Sequence, residues 1–248
     1  TSAVLRAQLQ GSCRVAGGTV PLLLQDRNLG ADLSYTKRKC KGRIHHTKKE
    51  CDDILTRIEG LHLHLEARAH LVAAMVLPKA LYAAASAVPA AKALSTLRAK
   101  CARAVWGQGN RWRAVEALFN LFTKAHLVDP LQKFSYDTVV AFRRVLRRRP
   151  EYRAVFERTF LFRQIHWRDK TPGPVAAFIR AASHANVSID EADIAKMYYL
   201  DENDASEPKE FRLLDPDSDS SFFLHILKGA LRMEQWSELA YRRQDFAG

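Results

Sequence analysis

Apolar residues recur at helical spacing along most of the chain, and the periodic stretches break at Gly and Pro. From about Tyr35 to Glu59, Cys40, Ile44, Cys51, Ile54 and Ile58 share one face of a predicted helix, and Gly60 suits its end. A second helix is predicted from about Leu65 to Val88. Pro78 should kink or split it, because proline lacks the N–H that the helical ladder needs. Its Ala-rich end, Ala80 to Ala87, suits close approach to a neighbour. A third helix spans about Ala90 to Trp106 with Leu94, Leu97, Cys101 and Val105 as its buried stripe, and Gly107-Gln-Gly109 ends it. Two more follow, at about Arg113 to Lys124 and Leu131 to Arg149. The latter is started by Asp129 as N-cap and Pro130 at the first helical position. Another runs from Glu151 to Phe162.

The first 34 residues lack helical periodicity. Gly17-Gly18 lies between short apolar runs, a hairpin signal, and Asn28-Leu29-Gly30 marks a turn. Beyond Thr171-Pro-Gly-Pro174, the clearest boundary in the chain, come a short helix near Val175 to Ser183, an acidic stretch and a loop. A last helix from about Ser221 to Arg243 opens with Phe223, Ile226, Leu227 and Ala230 on one face. The expected fold is mainly α: a helical bundle with a small N-terminal β-hairpin and a separate C-terminal helical region. With 248 residues and 47% hydrophobic content, the chain can bury one sizeable core or two smaller ones.

Charge divides the chain. Residues 1–168 hold 30 Lys+Arg against 12 Asp+Glu, whereas residues 169–248 hold 9 against 15. A basic block attracts polyanions and holds them by releasing counterions. The candidate phosphate contacts are Lys37, Arg38, Lys41, Lys48 and Lys49 on the first helix, with Lys92, Lys100 and Arg103 on the outer face of the third. Arg143, Arg144, Arg147 and Arg148 form the densest cationic cluster. Trp106, Trp112, Phe134, Tyr136 and Phe142 are interleaved with these charges.

Other chemistries find little support. Cys40, His45, His46 and Cys51 share a window, but zinc needs ligands that converge, and both cysteines fall on the apolar stripe of a helix. The sequence has no phosphate-binding glycine loop, no dinucleotide fingerprint and no nucleophile elbow. Asp52-Asp53 sits mid-helix, where adjacent side chains diverge by about 100°, and reads as solvated charge. The four scattered cysteines read as reduced thiols, which suggests an intracellular setting, nucleus or cytoplasm. No apolar run approaches the roughly 20 residues of a membrane span. The N-terminus, without an initiator Met, reads as an excerpt from a longer protein.

Several segments, in order, carry a resemblance. Asp26-Arg-Asn-Leu-Gly-Ala-Asp-Leu-Ser-Tyr35 resembles the segment after the polymerase core in reverse transcriptases of non-LTR (LINE-type) retrotransposons. Arg57-Ile-Glu-Gly-Leu-His-Leu63 and Val76-Leu-Pro-Lys-Ala-Leu-Tyr82 resemble the thumb of those enzymes, with its LPKALYG motif. Leu97-Arg98 and Arg103-Ala-Val-Trp-Gly107 resemble the helix that follows. Leu239 to Gly248 is similar to a segment further downstream. The family's Tyr-x-Asp-Asp carboxylates, which hold two metal ions, do not occur in the chain. Ala83 stands at the glycine of the motif, a small change at what reads as a packing position.

The resemblance implies four regions: 1–34, the end of the palm with a primer-grip-like hairpin that uses Leu29 and Gly30; 35–110, a thumb-like bundle; 111–170, a basic helical connection; and 171–248, an acidic C-terminal region. It implies a non-catalytic part of an RNA-directed DNA polymerase, which grips the template–primer by its backbone and is inactive alone. The implied partners are nucleic acid, as RNA–DNA hybrid or RNA, and the polymerase palm and fingers upstream. No cofactor is expected in this chain, and magnesium belongs to the missing catalytic part. Two other readings stay open on the residues: a helical adaptor that binds acidic protein partners, and a decayed retroelement fragment without function.

Overall fold

The computed structural model describes residues 14–15, 18–19, 25–28, 31–34, 43–86, 88–107, 114–166, 173–190, 193, 196–200, 207–213 and 220–243. Its described part is mainly helical, with a small three-stranded antiparallel sheet. Two short antiparallel pairs come first. β1 (Arg14–Val15) pairs with β2 (Gly18–Thr19), and β3 (Gln25–Asn28) with β4 (Ala31–Ser34), Asn28 opposite Ala31. The sequence signal for a hairpin near Gly17-Gly18 thus falls beside a pairing in which Val15 faces Gly18.

The helical stripe after Tyr35 forms two helices, α1 (Arg43–His46) and α2 (Lys48–Gly60), separated by the buried Thr47. Ile44, Cys51 and Ile58 are buried as their spacing predicts, and Leu55 joins them. α3 (Leu65–Leu71) follows, and then Pro78 has the disruptive effect expected of it. Its missing N–H leaves a carbonyl one turn back without a donor, and its ring crowds that turn. The chain widens ahead of it into a π-helical segment, Val72–Val76, in which the Leu77 N–H reaches back to the Val72 carbonyl. Helical structure resumes only over α4 (Leu77–Ala80).

The expected continuation to Val88 is not formed. Leu81–Ser86 makes a turn, held by Ala84 N–H to Leu81 O at 3.0 Å and Ser86 N–H to Ala83 O at 2.9 Å. Ala83 adopts φ +57°, a left-handed conformation that crowds a Cβ. Backbone conformation thus constrains this position, whatever packing it also makes.

α5 (Ala91–Trp106) buries Leu94, Leu97, Cys101 and Val105 as predicted and ends at Gly107 with φ +97°. That positive φ strains any L side chain and favours glycine; an added Cβ would also lie 2.8 Å from the tip of the flexible Arg68 side chain, which would have to shift. α6 (Val115–Phe122) and α7 (Ala125–Val128) lead to α8 (Pro130–Arg148), the longest helix of the basic block. Asp129 caps α8 as expected, accepting from the Leu131 N–H at 2.9 Å. A 3₁₀ turn (Pro150–Tyr152) joins it to α9 (Arg153–His166).

The residues on either side of the Thr171–Pro174 stretch share one core. α10 (Pro174–His184) lies along α8, with Phe178 stacked on Phe142 at 3.9 Å between ring centroids. Buried side chains from Ile44 to Leu231 form a single contiguous cluster. The acidic stretch, part of a region expected to be helical, contains strands: β5 (Ser188–Ile189), β6 (Lys196–Tyr199) and β7 (Lys209–Arg212), paired in that order. The register sets Met197 opposite Phe211, and this buried pair packs into the core. α11 (Ser220–Arg243) closes the bundle with Phe223, Leu227, Ala230 and Leu231 buried and Ile226 packed partly against them. Phe223 meets Phe211 at 5.2 Å. Among the described residues no helix is long and apolar enough to cross a membrane.

Candidate nucleic-acid interface

α1, α2 and the N-terminal half of α5 enclose a groove of about 310 Å³ whose floor is apolar and whose rim is cationic. Ile44, Cys51 and Leu97 form the floor. Lys48 on α2 with Lys92 and Lys100 on α5 line the rim, joined by His45, Asp52 and Thr96. Three lysines predicted from sequence, 44 or more positions apart between the two helices, thus meet at one opening. They meet because α2 and α5 pack through Cys51, Leu55, Leu97 and Cys101, which turns the flanking polar positions of both helices to the same side.

The rim is not uniformly cationic. Lys100 Nζ lies 2.6 Å from Asp52, so Asp52 is an ion-pair partner rather than a merely solvated charge, while Asp53 is exposed. Lys79 pairs with Glu50 at 2.6 Å, and Arg103 with Glu59 at 2.8 Å. Partly exposed pairs of this kind are each worth about 0–1 kcal/mol, so a phosphate can compete for their cations. Lys48, Lys49 and Lys92 are solvent-exposed. Burial drives the Cys51 thiol pKa upward, and that of Cys101 well upward, so neither is a ready thiolate. Lys37, Arg38, Lys41, Leu29 and Gly30 lie outside the described residues, as do Cys13 and Cys40. Among the described residues no group of three or more His, Cys, Asp or Glu could hold a metal ion.

The arginine cluster at the end of α8 divides. Arg144 and Arg148 face solvent. Arg147 is exposed and donates to Ser220 Oγ at 3.2 Å. Arg143 points inward: it is 4% exposed, donates from Nε to the Leu213 carbonyl at 3.2 Å and covers the Phe223 ring at 4.4 Å. Its helical phase sets it with Phe142 and Leu146 on the buried face, so it ties α8 to the sheet and α11 and is not presented to a phosphate.

Two clusters were not anticipated from the sequence. One is a buried polar hub where α5, α6, α8 and α11 meet. Arg98 donates to Asp129 at 2.9 and 3.1 Å and to Glu116 at 3.1 Å. Gln235 donates to Asp129 at 2.6 Å, and Asn120 donates to Gln235. Burial alone would lower the Arg98 pKa, but Asp129 and Glu116 outweigh it and the net shift is upward. The other is cationic and gathers around His126, at the junction of α7, α8 and α11. The spacing of Lys228 and Arg232, one turn apart on α11, was a signal for it, masked by the net acidity of the surrounding region.

No family model, curated protein or solved structure matches the chain.

Proposed function

We propose that this chain is a substrate-gripping, non-catalytic part of an RNA-directed DNA polymerase, corresponding to its thumb and connection, and that it holds a template–primer duplex by the phosphate backbone. The observation that carries this reading is the convergence of Lys48, Lys92 and Lys100 on one groove. A duplex backbone presents a row of charges that needs cations and little base-specific hydrogen bonding. The groove supplies cations from two rigid helices, which fixes their spacing better than a loop would. Two further features support the reading. Ala83 has left-handed backbone where the resembled thumb motif has glycine. Strands β3 and β4 flank Leu29-Gly30, the positions of the primer-grip-like pair. Chemistry would belong to carboxylates outside this chain.

The test is binding to an RNA–DNA hybrid across a salt series. Replacing Lys48 and Lys92 by Gln should flatten the log–log salt slope by about 1.8 units, since each duplex phosphate contact contributes about 0.9. No hybrid binding at low salt, or an unchanged slope in the double variant, would remove the reading.

A further inference from the structure

We propose that the groove between α2 and α5 takes one unpaired nucleotide of the bound strand, with its base on the apolar floor and its phosphate at the cationic rim. This rests on the nucleic-acid reading of the groove and adds to it a base, which a fully paired duplex keeps in its stack. The rim alone would suit a backbone, because phosphates need only cations. The floor has no part in that role. Ile44, Ala80, Ala93 and Leu97 line a space of about 310 Å³. Pockets for small organic ligands start at about 300 Å³ and are mostly apolar. The alanines are what leave the room, since larger side chains at those positions would fill it. A backbone lying across the rim leaves this apolar surface uncovered, whereas a base turned out of the strand can bury its faces there.

Charge and hydrogen bonding narrow the occupant. Lys100 is satisfied by Asp52 at 2.6 Å, but Lys48 and Lys92 are exposed and hold no carboxylate. Two free cations beside an apolar floor fit an amphipathic anion better than a neutral ligand. α5 reinforces them, because its N-cap, Ala90, lines the groove and offers no side-chain acceptor to the first-turn N–H groups. The polar edge then favours a base over an acyl chain. Asp52 gives Oδ2 to Lys100 and keeps Oδ1 to accept a further bond. The Thr96 hydroxyl spends its proton on the Lys92 carbonyl at 2.8 Å, which leaves its oxygen an acceptor too. Acceptors beside an apolar floor match the N–H groups on the edge of a base. An aliphatic chain would bring them no donor.

The experiment uses the full chain and three RNA–DNA hybrids, with binding followed by fluorescence anisotropy. One hybrid is fully paired, one carries a single unpaired adenosine, and one carries an abasic nucleotide at the same position. The unpaired adenosine should bind about fivefold or more tighter than the abasic strand, the lower end of what one base contributes by contact. Ala93→Leu and Thr96→Leu fill the groove without removing a charge. Each should abolish that difference and keep the salt slope of the fully paired hybrid. Thr96 is exposed, so its variant leaves the core intact even where Ala93→Leu disturbs it. Equal binding of the adenosine and abasic strands, or a preference that survives both filling variants, overturns the proposal. So does displacement of the adenosine strand by octanoate, which would make the floor an acyl site. Adenosine monophosphate binding as tightly as that strand overturns the strand as the source of the nucleotide. Failure of the base alone leaves the paired hybrid bound with its dependence on Lys48 and Lys92, whereas failure of the duplex reading abolishes binding of all three hybrids.

Discussion

Arg98 and Asp129 form an ion pair between α5 and the start of α8, with the Nε–H shared between Oδ2 at 2.9 Å and Oδ1 at 3.1 Å. Asp129 is fully buried and serves three donors at once: the guanidinium, the Leu131 N–H of its own helix and the Gln235 amide of α11. Removing Arg98 would leave two buried carboxylates, Asp129 and Glu116, without the cation that faces them. Arg98→Ala should lower stability by about 3–5 kcal/mol. Urea unfolding measures this, and a loss below about 1 kcal/mol would show that the pair is not structural.

Ala83 gives a prediction of opposite sign. At φ +57° its Cβ is strained by about 1–2 kcal/mol relative to glycine. Glycine gives back about 0.4–1 kcal/mol through its looser unfolded chain. Ala83→Gly should therefore raise stability by about 0.5–1 kcal/mol, and Ala83→Val should lower it. A melting-temperature series distinguishes the two, and a destabilising glycine would refute the backbone argument.

The arginines of α8 should separate by function. Arg143→Met should weaken folding by about 2 kcal/mol, through loss of its hydrogen bond to Leu213 and its contact with Phe223, and leave the salt slope of nucleic-acid binding unchanged. Arg144→Gln with Arg148→Gln should do the reverse, holding stability within about 0.5 kcal/mol. A slope that responds to Arg143→Met and not to the exposed pair would contradict the buried placement of Arg143.

The depressed His126 pKa couples folding to pH. The unfolded ring titrates near 6.5 and the folded ring at about 4, so between these values the unfolded chain holds more protons. This contribution is fully present above about pH 6.5 and is lost as pH falls towards 4. Solvent screening of a half-exposed group brings its size to about 1–2 kcal/mol. His184, lowered by burial and by Arg180, acts with the same sign. The comparison is therefore between the parent and His126→Gln, whose stability should fall less steeply over that range in denaturant titrations at fixed pH.

Local signals in the sequence were legible where one helix decides its own fate. Asp129-Pro130 set the start of α8, Gly107 the end of α5, and the apolar stripes of α2, α5 and α11 are the faces that pack. The strands β6 and β7 were not legible. Lys-Met-Tyr-Tyr and Lys-Glu-Phe-Arg are short and mixed, and their pairing is decided by Met197 and Phe211 meeting under Phe223. Charge misled for the same reason. Arg143 sits in a run of arginines, and only its phase relative to Phe142 and Leu146 turns it inward. The basic groove was legible in its lysines but not in its shape. The Lys100–Asp52 pair joins residues 48 positions apart, and the Arg98 partners lie 18 and 31 positions away. Separations of that size carry no periodic signature.

The bond from Gln235 to Asp129 spans 106 positions, and it sets an order of assembly. A ribosome delivers Arg98, Glu116 and Asp129 long before Gln235. Until α11 emerges, one acceptor of Asp129 and the apolar surface meant for Phe223, Leu227 and Leu231 stay open to water. The last helix thus acts as a keystone. The earlier helices can gather around Arg98, but the bundle becomes watertight only when α11 has docked on them.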